Sequence, residues 1–251
     1  MPDPVTACVL IIGNEILSGR TQDINLNHIA TTLGSWGIQT REARVIPDVT
    51  STIVDNVNDC RQRFDYVFTT GGIGPTHDDI TAECVAQAFG VDLVQHPDIA
   101  RRIRQRPAPE AVMESRLLMA RVPQGATLIE NPSGGPQGFA MDNVFVMAGI
   151  PSVMQGMLST LAGELRGGAV VQSRSIRAYL GESSISNALG TIQNNFPALD
   201  IGSYPFFRQE RYGTTLVVRG IDPDMIEAAA QAIMQAVSEA GETPEDLGAN
   251  G

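Results

Sequence analysis

The sequence has no long apolar run, no surplus of positive charge, few cysteines and no internal repeat, and each absence removes a class of function. Only 18% of its 251 residues are charged, and 28 acidic against 17 basic side chains leave a formal net charge of −11. Such a chain is poorly suited to nucleic acid or anionic membranes, which are both held through a positive field. A small anionic ligand would need local donors or a metal rather than the overall field. Cys8, Cys60 and Cys84 are widely separated along the sequence and match no metal-ligand or redox spacing, so no disulfide framework is expected and the thiols read as reduced and buried. The N-terminal stretch Met1-Pro-Asp-Pro-Val-Thr-Ala-Cys-Val-Leu-Ile-Ile12 has no basic segment before its apolar run, and the run is too short for a signal peptide or membrane span. A cytoplasmic protein is expected. No Ser/His/Asp or Cys/His signature is recognisable, which disfavours a covalent nucleophilic mechanism.

What is present is an ordinary globular composition, 43% hydrophobic, long enough for one large domain or two smaller ones. Ala7 to Ile12 reads as a buried strand. Leu26, Ile29, Ala30 and Leu33 then recur at helical spacing, Ile38 to Ile46 reads as a second strand, and Ile53, Val54, Val57, Cys60 and Phe64 form one face of the next helix. Strands alternating with helices through short links predict an α/β fold with a mostly parallel sheet covered on both faces. In such sheets ligands sit beyond the carboxyl ends of the strands. The loops at Gly13 to Gly19, Asp48 and Gly71 all fall at that end. An arginine- and glutamate-rich excursion from His96 to Ala120 contains two helices divided by Pro107 and Pro109, and Phe139 with Val144 to Met147 predicts a hairpin about Asp142-Asn143. Gly167-Gly168 is the expected boundary, giving domains over 1–167 and 168–251. The β-α-β-β-α order of the second predicts a small α+β domain, an antiparallel sheet with helices on one face, and the tail from Thr243 to Gly251 is expected to fray.

The most informative stretch is Asp65-Tyr-Val-Phe-Thr-Thr-Gly-Gly-Ile-Gly-Pro-Thr-His-Asp-Asp-Ile-Thr81. An apolar strand enters glycines, then two carboxylates, and a helical pattern follows from Ile80 to Phe89. Gly71, Gly72 and Gly74 let the backbone approach a ligand, and free amides with the positive end of the helix dipole would face a phosphate. Asp78 and Asp79 would repel a bare phosphate, so beside one they suit ligands or outer-sphere partners of a divalent cation such as Mg²⁺; the competing reading makes either of them a helix cap. Thr70, Pro75, Thr76 and His77 complete the candidate ligand-binding loop. Thr69 and Thr70 offer hydroxyls, or serve β-propensity alone. His77 lacks the partners that a metal site needs and reads as a hydrogen-bonding group to phosphate or water. His28 and His96 read as surface or helix-end residues. Arg41, Arg44, Arg101, Arg102, Arg104 and Arg106 read mostly as a solvated face, one of the last four within reach of a phosphate across a subunit boundary.

Taken in order, Gly13-Asn-Glu-Ile-Leu-Ser-Gly19, Val45-Ile-Pro-Asp48, the Gly71 to Thr81 motif and Asn131-Pro132 resemble the molybdopterin-binding domain family. Within it the chain is similar to the N-terminal part of the competence/damage-inducible (CinA-like) proteins and to a domain fused to some FAD synthetases. The resemblance covers about residues 5 to 165 and continues more weakly through Ile201-Gly-Ser-Tyr-Pro205. It implies a three-layer α/β/α fold, binding of molybdopterin or a nucleotide through its phosphate, and assembly as a dimer or trimer. It also implies metal-assisted chemistry at Asp48 and Asp79, which match the family's aspartates after the second strand and after the glycine motif, and CinA-like hydrolysis of the pyrophosphate bond of ADP-ribose or FAD. The implied site has Asp48 and Asp79 as catalytic groups, Asp78 and Asp79 as metal ligands, and Gly13, Glu15, Thr70, Gly71, Gly72, Gly74, Pro75, Thr76 and His77 around the ligand. Glu15 would orient a water or a neighbouring group, or else cap a helix.

Three departures from the family pattern set this chain apart. Asn131-Pro-Ser-Gly-Gly-Pro-Gln-Gly-Phe139 stands where Asn-Pro-x-Gly-Thr-Ala-Pro-Gly-Phe is typical, which changes Gly135, Pro136 and Gln137. Met147-Ala-Gly-Ile-Pro-Ser-Val-Met154 stands where Leu-Pro-Gly-Val-Pro-x-Glu-Met is typical, so Ala148 and Val153 differ, and Val153 replaces a carboxylate that would contact metal or water. The amidohydrolase domain of longer CinA-like proteins has no counterpart in the sequence, and deamidation of nicotinamide mononucleotide is not expected. The alternative to a pyrophosphatase is a non-catalytic module that holds molybdopterin or a nucleotide.

Overall fold

A computed structural model describes residues 4–208 and 210–248. The chain divides into two compact units between Gly168 and Ala169. No helix among the described residues is long and apolar enough to cross a membrane.

The first unit runs β1 (Val5–Ile12), α1 (Asn14–Leu17), α2 (Asn25–Ser35), β2 (Ile38–Ile46), α3 (Thr50–Arg63), β3 (Tyr66–Thr70), α4 (Thr81–Phe89), β4 (Leu93–Gln95), α5 (Pro97–Arg104), α6 (Glu110–Leu118), β5 (Arg121–Pro123), β6 (Thr127–Ile129), β7 (Gly138–Met141), β8 (Val144–Met147) and α7 (Pro151–Ser159). Its main sheet has the order β2-β1-β3-β8-β7-β6. The first four strands are parallel, and β7 and β6 extend the sheet antiparallel through the hairpin at Asp142-Asn143. The layering follows from the alternation of side chains along a strand. Cys8, Leu10 and Ile12 of β1 pack with Ile53 and Val57 of α3 and Val85 of α4. Val9 and Ile11 face the opposite way, onto Ile29 and Leu33 of α2 and Met154 and Leu158 of α7. A strand buried on both faces has no position for a polar residue, which is why β1 reads as one apolar run. The result is the expected α/β/α arrangement with a mostly parallel sheet.

Several local expectations are revised. The Gly13 to Gly19 segment contains a single helical turn, α1, rather than loop alone. The His96 to Ala120 excursion holds its two helices, and it is closed at its base by a separate two-stranded antiparallel sheet of β4 and β5. Cys8 and Cys60, distant in sequence, meet with their sulfurs 3.2 Å apart, and all three cysteines are buried and free. Burial pushes the Cys84 thiol up to about 11 and so keeps it protonated.

Arg44 is not part of a solvated face. It is half-buried and bonds Glu42, Asn56 and Asp59, while Arg63 closes the network on the same two carboxylates. The Arg44 guanidinium is the foremost cause holding both Glu42 and Asp59 below the usual carboxylate range. A depressed carboxyl contributes stability that is fully present above its unfolded pKa, roughly 4, and that is lost as pH falls through the folded value. Arg44→Gln should therefore destabilise the protein at neutral pH and flatten the fall in stability below about pH 4, as read from denaturant unfolding at a series of pH values.

The second unit runs β9 (Gln172–Ala178), α8 (Glu182–Asn195), β10 (Asp200–Arg208), β11 (Arg211–Gly220), α9 (Pro223–Glu239) and β12 (Glu245–Gly248). The sheet order is β10-β11-β9-β12, antiparallel throughout. Ile176, Leu216 and Val218 from the strands meet Ile185 and Ile192 of α8 and Ile226, Ala229 and Ile233 of α9 in one cluster. Asp222 caps α9 by accepting from the amides of Asp224 and Met225 at 3.0 and 3.1 Å, with Pro223 in the first turn. The tail does not fray over its described part: Glu245 to Gly248 pair with β9, and Arg177 and Arg174 bind Glu245 and Asp246. The polar sequence of β12 hides this strand, because its cross-strand arginines rather than apolar side chains hold it. The remainder of the predicted tail, 249–251, lies outside the described residues.

Candidate functional site

Register places the candidate residues along one edge. Ile12 lies beside Ile46, Ile11 beside Thr70 and Thr70 beside Met147, so the segments after all four parallel strands leave the sheet together. Gly13 donates to the Ile46 carbonyl at 3.1 Å, and the next amide, Asn14, donates to Asp48 Oδ2 at 2.8 Å. Asp48 is thus fixed by the turn that follows β1. No side chain caps α1. Glu15 instead folds over Gly13, where an added Cβ would lie 2.5 Å from Oε1; Gly13 leaves the space that this carboxylate fills.

The glycine loop is clamped by the first residue of α4. Gly71 and Gly72 have φ of 101° and 68°, a region costly for any residue with a Cβ. A Cβ on Gly71 would lie 2.1 Å from the Ile12 carbonyl, and one on Gly72 would lie 2.1 Å from Thr81 Oγ1. Thr81 donates its hydroxyl to the Gly71 carbonyl and its amide to the Gly72 carbonyl, each at 3.0 Å. The Gly71 amide is bound to the Met147 carbonyl at 3.3 Å, but among the described residues the amides of Gly72, Ile73 and Gly74 have no hydrogen-bond partner. Asp79 closes the rest of the loop, accepting from the Thr76 amide at 2.8 Å and from the Thr76 hydroxyl. The helix-cap reading fails for both aspartates, since the N-cap of α4 is Ile80 and no side chain caps it. Asp78 is exposed, and its carboxyl is held below the usual range first by the Thr76 hydroxyl and then by its own amide and His77.

Two small crevices flank the loop. One, about 70 Å³, is lined by Glu15, Asn25, Thr70, Gly71 and Gly149 among others. The other, about 20 Å³, is lined by Gly72, Ile73, Gly74, Asp79, Gln137 and Phe139 among others, with room for a single water or ion. The structure therefore brings Glu15 and Thr70 together with Gly71, and Asp79 together with Gly72 and Gly74. Asp48 lines neither crevice. It follows β2, which β1 separates from β3, so the two strand ends lie about 10 Å apart. Pro75, Thr76, His77 and Asp78 form the exposed rim of the loop.

Two residues at these crevices were not singled out as ligand-binding from sequence. Asn25 is only 5% exposed and donates to the Gly149 carbonyl at 2.8 Å, yet its Oδ1 accepts nothing. Gln137 donates weakly to Glu130 at 3.4 Å, and its buried Oε1 also lacks a partner. A buried acceptor without a donor is costly, and here each stands beside open space. Asn25 sits at the start of a polar helical turn where nothing in the local pattern distinguishes it; only the return of the chain at Gly149 reveals its role.

Among the described residues no group of three or more His, Cys, Asp or Glu side chains could hold a metal ion. The carboxylates of Asp79 and Asp78 nevertheless fit the habit of Mg²⁺, which takes one or two protein carboxylates and completes its shell with phosphate oxygens and water.

The family model described as "probable molybdopterin binding domain" matches residues 8–167. The chain belongs to this family. The model for the FAD synthase middle domain matches residues 170–246. CinA-like proteins of Gemmatimonas aurantiaca and Desulfosudis oleivorans are 29% and 33% identical over 212 and 209 residues, covering 78% and 77% of this chain and 50% of each relative. The chain thus spans about half the length of these CinA-like relatives. The crystal structure of CinA from Thermoplasma acidophilum is 32% identical and covers 63% of this chain and 98% of its own, with a TM-score of 0.58. This member of the molybdopterin-binding family is accordingly CinA-like over its first unit.

Proposed function

We propose that the first unit binds a phosphate-bearing pterin or nucleotide at this sheet edge and, with a divalent cation such as Mg²⁺, hydrolyses the pyrophosphate bond of an ADP-ribose or FAD type substrate. The observation that carries the reading is the loop itself: three consecutive amides, without a hydrogen-bond partner among the described residues, beside a carboxylate held by Thr76. Those amides would donate to phosphate oxygens and Asp79 with Asp78 would hold the cation, while Asp48, fixed by the Asn14 amide about 10 Å along the row of strand ends, would support the metal or the attacking water only where the ligand extends to that end. A bound cation supplies neutralisation of the phosphate charge and a more acidic water. The FAD synthase middle-domain match over the second unit supports a nucleotide-related role. The test is incubation with ADP-ribose and with FAD in the presence of Mg²⁺, Mn²⁺ or Co²⁺. AMP release from either is the expected result, and no AMP under any metal counts against catalysis.

A second reading, a binding module without turnover, is favoured by Val153, which packs against the apolar cluster where a carboxylate is typical. Calorimetry separates the two, since tight nucleotide or pterin binding without hydrolysis selects the module. Under both readings Asn25 Oδ1 accepts from the ligand. Asn25→Ala should weaken nucleotide binding by about tenfold and lower stability by roughly 1–2 kcal/mol through the lost Gly149 bond; unchanged affinity would remove Asn25 from the site.

A further inference from the structure

Every cationic side chain in this protein is an arginine, for the sequence holds no lysine. In the first unit half of the twelve answer a carboxylate among the described residues: Arg44 and Arg63 share Glu42 and Asp59, Arg101 meets Asp98, Arg102 meets Glu130, Arg121 meets Glu83 and Arg166 meets Asp65. Arg106 and Arg116 do not, having no ion pair among the described residues. Arg116 Nη1 donates to the Arg106 carbonyl at 3.2 Å, and Arg106 Nη2 donates to the Gly134 carbonyl at 3.3 Å. Arg102 stands with them, bonded to Glu130 at 2.7 Å and to the Gly135 carbonyl at 3.4 Å. The three side chains, from α5, the turn after it and α6, line one cavity of about 190 Å³ closed by Met119 and the Gly134-Gly135 turn.

Among the described residues the one carboxylate ion-paired with any of these three guanidinium groups is Glu130, on Arg102, and the Arg102 guanidinium is the main cause holding its carboxyl below the usual range. Among the described residues, those lining the cavity thus include three guanidinium groups and no carboxylate, in a protein whose net charge is −11. Like charges gathered in a concave site repel one another unless an anion occupies it. Each guanidinium has five N–H donors in a planar fork, and the bonds above use at most two of each. The unused donors match the paired oxygens of a phosphoryl group.

We propose that this cavity is a phosphoryl-binding site distinct from the glycine loop, with Arg106 and Arg116 as its main donors and Arg102 as the third. Its volume admits one phosphate or a phosphorylated sugar fragment, and falls below the roughly 300 Å³ at which pockets begin to enclose drug-sized ligands. Met119 lines this cavity and the Asp79 crevice alike, so one extended molecule can reach both. The site stands on its own geometry and needs neither a metal nor hydrolysis.

Metal-free calorimetry with inorganic phosphate, at constant ionic strength, tests it. Saturable binding is expected, weakened at least tenfold in Arg106→Gln/Arg116→Gln and retained in Asp79→Asn. Acetate titrated under the same conditions should bind far more weakly, which separates phosphoryl recognition from simple charge, and AMP should bind at least as well as phosphate. Circular dichroism melting confirms that the double variant is folded. Should it not be, Arg106→Gln alone, at an exposed position with one backbone bond, should still weaken binding several-fold. Absence of saturable binding to the unaltered protein, unchanged affinity in the folded variant, or equal binding of acetate overturns the assignment.

Discussion

Asp79→Asn should lower metal-dependent AMP release by roughly 10²-fold or more while shifting the melting temperature by only a few degrees. Asparagine keeps the shape of the side chain and one acceptor oxygen, so the Thr76 amide and hydroxyl bonds that close the loop survive, though weakened from charge-assisted to neutral ones. What it removes is the negative charge that would hold a cation against the phosphates, a contribution of several kcal/mol to phosphoryl chemistry. Asp79→Ala confounds the two effects, because the loop loses its closure as well. Asp78→Asn, at an exposed position, should have the smaller effect. Steady-state AMP release with ADP-ribose, alongside thermal melting of each variant, checks all three; full activity in Asp79→Asn would take this carboxylate out of the chemistry.

Gly72→Ala is expected to cost about 2–4 kcal/mol of stability and to abolish measurable nucleotide binding. Two penalties act together. The backbone sits at a φ of 68°, which costs a residue with a Cβ roughly 1 kcal/mol or more, and the new methyl would lie 2.1 Å from Thr81 Oγ1. Thr81 cannot move without releasing its bonds to the Gly71 and Gly72 carbonyls. Gly90→Ala provides the comparison: its φ is 66°, but a Cβ there would meet nothing within 4 Å. Its cost should be backbone strain alone, about 1 kcal/mol, with ligand binding intact. Denaturant unfolding and nucleotide calorimetry on both variants check the contrast, and equal losses of stability would mean that the contact with Thr81 is harmless.

Much of the first unit was legible because its signals are local. An apolar run such as Ala7 to Ile12 implies a strand buried on both faces, and the 3.6-residue recurrence of Ile53, Val57 and Cys60 implies the helix that covers one of them. The glycine motif was legible for the same reason, since the positive φ at Gly71 and Gly72 is a property that few other residues tolerate. Less legible were the features held by partners distant in the chain. Strand β12 is polar and depends on Arg174 and Arg177 across the sheet. Arg44 looked like a surface charge until α3 brought Asn56 and Asp59 against it. Arg102 and Arg106 looked like unrelated surface charges until the fold set them with Arg116 and the Gly134-Gly135 turn along one cavity.

By its own pattern the sequence determined the α/β alternation, the glycine loop after the third strand and the acidic overall charge, because backbone preference, hydrophobic period and net charge act over short stretches or over the whole composition. Tertiary structure alone decided which side chains share a crevice. It set Asp79 against Gly72 and Gly74, set Asp48 apart at the Asn14 amide, and left Asn25 with an unanswered acceptor beside Gly149. The physical reason is range: a hydrogen bond or a shared cavity depends on positions fixed to a fraction of an ångström by strands and helices far apart in the chain, and no local pattern encodes that distance.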